Sequence, residues 1–260
     1  MKQDLAKTIP AGRHLSRREI IGYMAATAAA VLVGCERRQS DLANAASASS
    51  QTGTGTGTKA ISSCVVRPEQ TEGPYFVDER LNRSDIRSDP SDGSVKDGVS
   101  LQLLIRVSQI GGNDCTPLAG AIVDLWQCDA LGVYSDVRDR SFDTSGKKFL
   151  RGYQVTDNNG SVKFITIYPG WYPGRTVHIH FKIRTDAASR PGYEFTSQLY
   201  FEESITDQVY LQVPYVSRGR RTTMNTMDGI FRRGGDRLIL QVARQAQGYA
   251  GAFDIGLQIA

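Results

Sequence analysis

The chain has 260 residues, 40% of them hydrophobic and 22% charged, which suits one sizeable globular domain. Its net charge is +4, but residues 1–34 hold five basic and two acidic side chains, so only +1 remains for the rest. Binding to nucleic acid requires a clustered positive face, and this near-neutral body therefore excludes nucleic acid as the main partner.

Residues 1–35 are typical of an export signal. The basic stretch ends in the pair Arg17-Arg18, and the apolar run of residues 20–33 that follows is too short to span a membrane comfortably. The arginine pair resembles a twin-arginine signal, and residues 32–35 resemble a bacterial lipobox that ends in Cys35. We therefore expect an exported protein, in the bacterial periplasm or at the cell surface, with a lipid anchor to the membrane through Cys35. An uncleaved N-terminal membrane anchor is the alternative.

Residues 36–62 are predicted to form a flexible linker, because Ala, Ser, Thr, Gln and Gly dominate them and leave little apolar surface to bury. The folded domain is expected at residues 63–260. It contains Cys64, Cys115 and Cys128, and an oxidising compartment allows one disulfide among them. Cys115 and Cys128 lie at opposite ends of one predicted extended run, further apart than a disulfide reaches. Cys64 is thus expected to pair with one of the two.

The domain is predicted to be all-β, an antiparallel β-sandwich with long irregular loops and little helix. Apolar alternation between Gly- and Pro-rich turns favours short strands, and the Asp-Asn-Asn-Gly stretch at residues 157–160 predicts a hairpin. Helix is limited to a turn at residues 206–210. The predicted strands are residues 100–108, 119–128, 151–156, 161–168, 176–183, 196–201, 238–243 and 253–259.

Two histidines carry the strongest chemical signal in the domain. His178 and His180 flank Ile179 in a predicted strand, where the side-chain period of two directs both imidazoles to one face. Two imidazoles side by side on a rigid strand form half of a metal site. A pair of structural histidines that binds no metal is the competing interpretation.

Tyrosines supply the remaining candidate ligands. Tyr168 and Tyr172 lie just upstream of the histidines in a Pro- and Gly-rich loop, and functional residues often lie on such loops. A phenol with a pKa of about 10 is a poor ligand for most divalent ions, whereas hard, highly charged Fe(III) binds phenolate oxygen. The combination predicts ferric iron rather than zinc. Tyr168 is expected to pack in the loop.

These residues resemble a known family. Residues 172–181, with Tyr172-Pro173, Arg175 and His178-Ile179-His180, resemble the ferric-iron motif of intradiol ring-cleaving dioxygenases such as protocatechuate 3,4-dioxygenase and catechol 1,2-dioxygenase. The resemblance extends over residues 64–260. It also includes residues 126–135 (the segment of the first tyrosine ligand), 150–160 (a hairpin), 197–201 (the strand of the active-site glutamine) and 70–76 (a pocket-lining segment).

The resemblance implies an iron(III) enzyme that inserts both atoms of O₂ into a catechol-type ring and cleaves it to a cis,cis-muconate-type diacid. It implies that Tyr134, Tyr172, His178 and His180 bind Fe(3+), together with a solvent-derived hydroxide. Tyr172 would be the ligand that leaves when substrate arrives, which gives it a catalytic role as well.

The resemblance also implies a substrate pocket. Arg175 and Gln198 would line it as catalytic residues, with Arg175 stabilising negative charge on the ring; the alternative for Arg175 is a surface ion pair. The other expected substrate-binding residues are Gly73, Pro74, Tyr75 and Trp171; for Trp171, a packing role is the alternative, and the one that the sequence favours.

Two departures from the family pattern bear on the substrate. Only five residues separate Tyr172 from His178, fewer than in the better-known members, and Arg175-Thr176-Val177 stands where they have Arg-Pro-Ala. The shorter loop predicts a more open pocket, which would admit protocatechuate, catechol, hydroxyquinol or larger lignin-derived catechols. The sequence leaves the oligomeric state open, with a homodimer among the alternatives.

Two other classes of function remain open from the sequence. One is a non-catalytic β-sandwich module that binds carbohydrate or aromatic material. The other is a zinc or copper enzyme that uses the same His pair.

Overall fold

The structure is a computed structural model that describes residues 65–112, 114–185 and 192–259. The predicted export signal (residues 1–35), the predicted linker (36–62) and Cys64 lie outside the described residues. The described part belongs to one compact unit. Within it, no helix has the length and the apolar character needed to cross a bilayer.

Over the described residues, the chain forms nine strands and one short α-helix. In chain order these are β1 (Ser100–Gly111), β2 (Asp114–Pro117), β3 (Ile122–Trp126), β4 (Arg151–Val155), β5 (Ser161–Ile167), β6 (His178–Arg184), β7 (Glu194–Tyr200), α1 (Glu203–Val209), β8 (Val242–Gln245) and β9 (Gly248–Leu257). Short 3₁₀ turns lie at Tyr215–Arg218, Asn225–Met227 and Gly235–Leu238.

The strands form two sheets packed as a sandwich, as the sequence predicted. The first sheet has the order β2-β1-β9-β8, with β5 also paired to β1, and the second has the order β4-β3-β6-β7. Period-two alternation builds the core: Leu101, Leu103 and Ile105 of β1 are buried, whereas the intervening Gln102 is exposed. The rings of Phe181 in β6 and Phe253 in β9 meet across the sandwich at 5.6 Å between centroids.

The expected antiparallel pairing holds with one exception, because β1 and β9 run parallel. The chain reaches β9 through a tight hairpin from β8, in which Gln245 pairs with Gly248. That hairpin places the last two strands at residues 242–245 and 248–257, instead of the predicted 238–243 and 253–259. Leu238 belongs to a 3₁₀ turn instead.

Two short elements carry too little pattern to be found in the sequence. Strand β2 has four residues, none of them buried, so it shows no apolar alternation. Helix α1 was expected only as a turn at residues 206–210, and it begins earlier, at Glu203.

The cysteines behave differently from one another. Cys115 is disulfide-bonded, whereas Cys128 is a buried free thiol. Of the two disulfides that the sequence left open for Cys64, the one with Cys128 is therefore excluded.

Strand β6 is buried on both faces, and this feature creates the site. Ile179 and Phe181 point into the sandwich core, while His178, His180 and Lys182 point to the opposite face and are buried as well. A second, smaller apolar cluster covers this outer face; it contains Trp126, Cys128 and Tyr134, with Tyr75, Phe76, Val137 and Tyr172 packed against it.

Candidate metal centre

Strand register brings one row of side chains together across the second sheet. His180 pairs with Trp126 on one side and with Gln198 on the other, and Trp126 pairs with Arg151. Cross-strand partners point to the same face. The Trp126 indole accordingly stacks on the His180 imidazole, at 4.9 Å and 8°. This stacking holds the His180 ring in a fixed plane.

The two imidazoles point their Nε2 atoms toward each other. The Nε2 atoms of His178 and His180 lie 3.0 Å apart. His178 donates its Nδ1 proton to the Thr176 carbonyl at 2.6 Å, which leaves a lone pair on Nε2. Burial lowers the pKa of His178 to about 3, and the charge of Arg175 contributes to this shift. Burial also lowers the pKa of His180, with His178 adding to the effect. Both rings are thus neutral at physiological pH, as metal ligands must be.

Two loops that carry the tyrosines are docked against each other. Gly170 donates its N–H to the Asp129 carbonyl at 3.1 Å. Gly132 has a φ of 83°, and a Cβ there would lie 2.2 Å from the Trp171 carbonyl oxygen. Only glycine permits both this backbone conformation and this close approach. The contact fixes the position of Tyr134 relative to Tyr172.

The predicted ligands come together in the structure. The Tyr172 hydroxyl lies 3.2 Å from His178 Nε2, to which it donates, and the rings of Tyr134 and Tyr172 are 5.8 Å apart. The Tyr134 hydroxyl is buried, interacts electrostatically with Tyr172 and has no hydrogen bond of good geometry among the described residues. Burial raises the pKa of both phenols, and Arg175 partly opposes the shift at Tyr172.

These donors fit iron(III). A buried hydroxyl without a hydrogen bond, next to two imidazole nitrogens that face each other, is costly unless a cation accepts their lone pairs. In the described part of the chain, no three His, Cys, Asp or Glu side chains gather around one point, so the partners of the His pair are phenols. Because burial raises the pKa of these phenols, a strongly charged, hard ion is required to ionise them.

Arg175 is held in place next to the His pair. Its Nε donates to Asp228 Oδ2 at 2.8 Å, its Nη2 to Gln198 Oε1 at 2.5 Å, and its Nη1 lies 3.5 Å from His178 Nε2. Asp228 is only 1% exposed. The ion pair is therefore an internal one, and among the described residues Arg175 does not form the surface ion pair considered from the sequence.

The segment at residues 70–76 also lies at the site. A Cβ on Gly73 would be 3.5 Å from His180 Cε1, and Tyr75 stacks on Tyr134 at 4.6 Å. Gln198 donates from Nε2 to the Thr71 carbonyl at 2.9 Å, which ties the segment to β7. Pro74 is exposed. Gly73 and Tyr75 thus lie in contact with two of the predicted ligands, and their role in substrate binding stays a prediction.

Trp171 has a different environment. Its indole belongs to the main core, donates to the Gly219 carbonyl at 3.3 Å and lies under the guanidinium of Arg218. Its placement in the main core separates it from the smaller aromatic cluster around Tyr134.

Three residues of the site were not singled out from the sequence as site residues. Asp228, interpreted as a turn residue, does accept from Ile230 and Phe231 N–H, but it also binds Arg175 and the Thr176 N–H. The Tyr200 hydroxyl donates to Gln70 or Gln198. Arg151 pairs with Trp126 and so extends the row of Trp126, His180 and Gln198 across the second sheet. The bonds from Asp228 to Arg175 and from Tyr200 to Gln70 join residues that are distant in the chain, so no local motif reveals them. Only the sheet register shows that Arg151, Trp126 and His180 share a face.

The comparisons with known proteins identify the family. A family model described as Dioxygenase matches residues 71–255. The chain belongs to the intradiol ring-cleavage dioxygenase family. The protocatechuate 3,4-dioxygenase beta chain of Burkholderia cepacia is 30% identical over 170 residues, which cover 60% of this chain and 69% of that protein. The catechol 1,2-dioxygenase of Candida albicans is 32% identical over 117 residues, 36% of each chain.

Solved structures of family members share the fold. An intradiol ring-cleavage dioxygenase from Tetranychus urticae is 32% identical with a TM-score of 0.66, covering 75% of this chain and 95% of that one. The dioxygenase domain of a dioxygenase and carbohydrate-binding fusion from Streptomyces sp. SirexAA-E is also 32% identical, with a TM-score of 0.53 and coverage of 75% and 99%. Homology to this family supports an enzyme rather than a passive binding module.

Proposed function

We propose that the chain is a non-haem iron(III) dioxygenase that adds both atoms of O₂ to a catechol-type ring and cleaves it between the two hydroxyl-bearing carbons. The observation that carries the proposal is the convergence of two neutral imidazoles with two buried phenols. His178, His180, Tyr134 and Tyr172 would hold the iron. A bound iron(III) supplies Lewis-acid activation of the catecholate ring toward O₂.

Tyr172 is suited to accept a proton from the substrate. It is partly exposed, whereas Tyr134 is 1% exposed, so substrate reaches Tyr172 first. Its Oη would take one catechol proton, whereas Tyr134 would serve as a ligand that holds the iron. The different burial of the two phenols supports different roles for them, as differing environments do for paired acids and bases.

Arg175 would stabilise the negative charge that develops on the substrate ring. Its guanidinium is preorganised by Asp228 and Gln198, so little reorganisation accompanies the reaction. Gln198 Oε1 accepts from both Arg175 and Tyr200, and its Nε2 binds the Thr71 carbonyl. These bonds favour a role for Gln198 in orienting Arg175. Gly73 and Tyr75 would shape the pocket beside the metal.

The proposal is tested by loading the full chain with Fe(III) or Zn(II) and recording its visible spectrum. Iron bound to tyrosinate absorbs visible light by charge transfer, so the iron-loaded protein is expected to be coloured and the zinc-loaded protein colourless. O₂ uptake with catechol, protocatechuate and hydroxyquinol is expected for the iron form only. Stoichiometric zinc with full activity, or a colourless protein that retains no iron, would reject the proposal.

A matched pair of variants locates the metal. His180→Asn removes one candidate ligand and is expected to abolish both the visible band and O₂ uptake. Tyr249→Phe removes a phenol from the core of the first sheet and is expected to leave both unchanged. Equal spectra for the two variants would contradict the ligand assignment.

A further inference from the structure

Arg151 is an unusual buried charge beside the site. It lies in β4, is 2% exposed, and occupies the cross-strand row of Trp126, His180 and Gln198. Its side chain forms no ion pair with any described carboxylate. Each nitrogen donates to backbone or hydroxyl oxygens instead: Nε to Ser135 O at 3.1 Å and Ser135 Oγ at 2.9 Å, Nη2 to Ser135 O at 2.6 Å, and Nη1 to Tyr75 O at 2.7 Å.

The two hydrogen-bond partners of Arg151 both lie next to Tyr134. Ser135 follows Tyr134 directly in the chain, and the Tyr75 ring stacks on the Tyr134 ring at 4.6 Å. The planar guanidinium therefore joins the backbone of the residue that follows Tyr134 to the backbone of the residue whose ring stacks on Tyr134. Ser135 is itself fixed, because its hydroxyl donates to the Phe149 carbonyl at 2.6 Å. A planar fork with five donors suits this bridging, which the single ammonium of lysine cannot reproduce.

The charge of Arg151 also lacks a direct counter-ion. A buried cation without a hydrogen-bonded carboxylate is costly. Burial lowers the pKa of Arg151 to about 10, and the electrostatic influence of Tyr134, Glu79 and Asp136 opposes this shift. The group stays charged at neutral pH, within electrostatic reach of a phenol that would become an anion on binding iron.

We propose that Arg151 is a positioning residue for the iron site: its hydrogen bonds to Ser135 and Tyr75 fix the backbone beside Tyr134 and the ring stacked on it, and its charge lies within electrostatic reach of the Tyr134 phenol. The inference rests on the proposed function, since it concerns the same iron-bound tyrosinate. It predicts that Arg151 affects the metal through Tyr134, without touching the metal or the substrate.

The test compares Arg151→Met and Arg151→Lys with Arg67→Met in the full, iron-loaded chain. Arg67 is a matched control, because it also donates to backbone carbonyls, those of Asp254 and Arg237, and stacks on Phe253 of the first sheet. Circular dichroism verifies the fold of each variant. The readouts are the wavelength of the tyrosinate charge-transfer band and the iron affinity from chelator competition.

Arg151→Met is expected to shift the band to longer wavelength, because loss of the positive charge raises the energy of the phenolate electrons. Its iron affinity is expected to fall about 10- to 100-fold, as for other residues that orient metal ligands. Arg151→Lys keeps the charge but not the fork, so it is expected to lose iron affinity with a smaller band shift. Arg67→Met is expected to match the wild type in both.

A folded Arg151→Met protein with the wild-type band and iron affinity overturns the inference. If Arg151→Met does not fold, Arg151→Lys provides the test. Wild-type iron affinity in Arg151→Lys would overturn the inference. A wild-type protein that binds no iron and shows no band would instead refute the proposed function itself, so the two failures are distinguishable.

Discussion

The two candidate tyrosine ligands differ in exposure and in hydrogen bonding, and single substitutions can test whether their roles differ as well. Tyr172 is partly exposed and bonds to His178, whereas Tyr134 is buried without such a bond. We expect Tyr172→Phe to retain iron but to lose kcat by about 100-fold or more, because a positioned proton acceptor contributes about that factor. Steady-state O₂ uptake and iron analysis measure the two effects.

Tyr134→Phe provides the contrast for this prediction. It removes the ligand that would stay bound throughout, so the main expected loss is of iron itself. Full activity in Tyr172→Phe, or the same iron loss in both variants, would contradict the division of roles.

The buried ion pair of Asp228 with Arg175 is expected to make the stability of the folded domain depend on pH. Burial alone would raise the pKa of Asp228, but the Thr176 N–H and the Arg175 guanidinium lower it, and the net pKa is below its ordinary value. A depressed carboxyl pKa gives stability that is present above the unfolded value of about 3.9 and lost as pH falls through the folded value. Asp228→Asn is expected to cost about 3 kcal/mol at pH 7, since it breaks a buried pair.

Urea unfolding of wild type and Asp228→Asn between pH 3 and pH 7 measures this linkage. The difference in free energy of unfolding should be constant at neutral pH and shrink only below about pH 4. A difference that grows on acidification would show that the carboxyl does not act in this way.

At the level of elements, the docking of the two tyrosine loops depends on Gly132. Its φ of 83° and the 2.2 Å approach to the Trp171 carbonyl both exclude a side chain. We expect Gly132→Ala to separate the loops, lowering both the melting temperature and the iron content.

Gly146→Ala is the matched control for this variant. Gly146 has a φ of 81°, but no atom lies within 4 Å of the position that a Cβ would occupy there, so only the backbone strain of about 1 kcal/mol applies. Equal loss of iron in both variants would show that loop contact is not what holds Tyr134 in place.

The elements also show what a sequence can predict here. The predicted bounds of β1, β4, β5 and β6 agree with the structure to within three residues. Apolar alternation indicated β1, and the hairpin stretch at residues 157–160 indicated β4 and β5. The His pair, Tyr134 and Tyr172 were likewise located from short motifs, and the structure brings them together; their role as metal ligands stays a prediction.

The remaining parts depend on long-range geometry. The parallel pairing of β1 with β9 follows from the path of the chain, and β2 has no buried face to mark it. Asp228 lies far along the chain from Arg175, and only cross-strand register brings Arg151 to the site. These relations are properties of the folded sheet rather than of any local stretch.

For the whole molecule, we propose that residues 1–35 direct export and that Cys35 carries a lipid. The disulfide at Cys115 supports an oxidising compartment. Mass spectrometry of protein from the native host is expected to give a chain that begins at Cys35 with an added diacylglycerol group, and Cys35→Ser is expected to release the protein from the membrane fraction. An intact Met1 on the mature protein would contradict this proposal.

The most direct test of the central claim is the fate of ¹⁸O₂ in a single reaction with catechol. The iron(III) site proposed here predicts one O₂ consumed per ring, cleavage between the hydroxyl-bearing carbons, and labelled oxygen in the carboxyl groups of a cis,cis-muconate-type diacid. A semialdehyde from cleavage outside the two hydroxyls, or oxidation to a quinone without label, would contradict it.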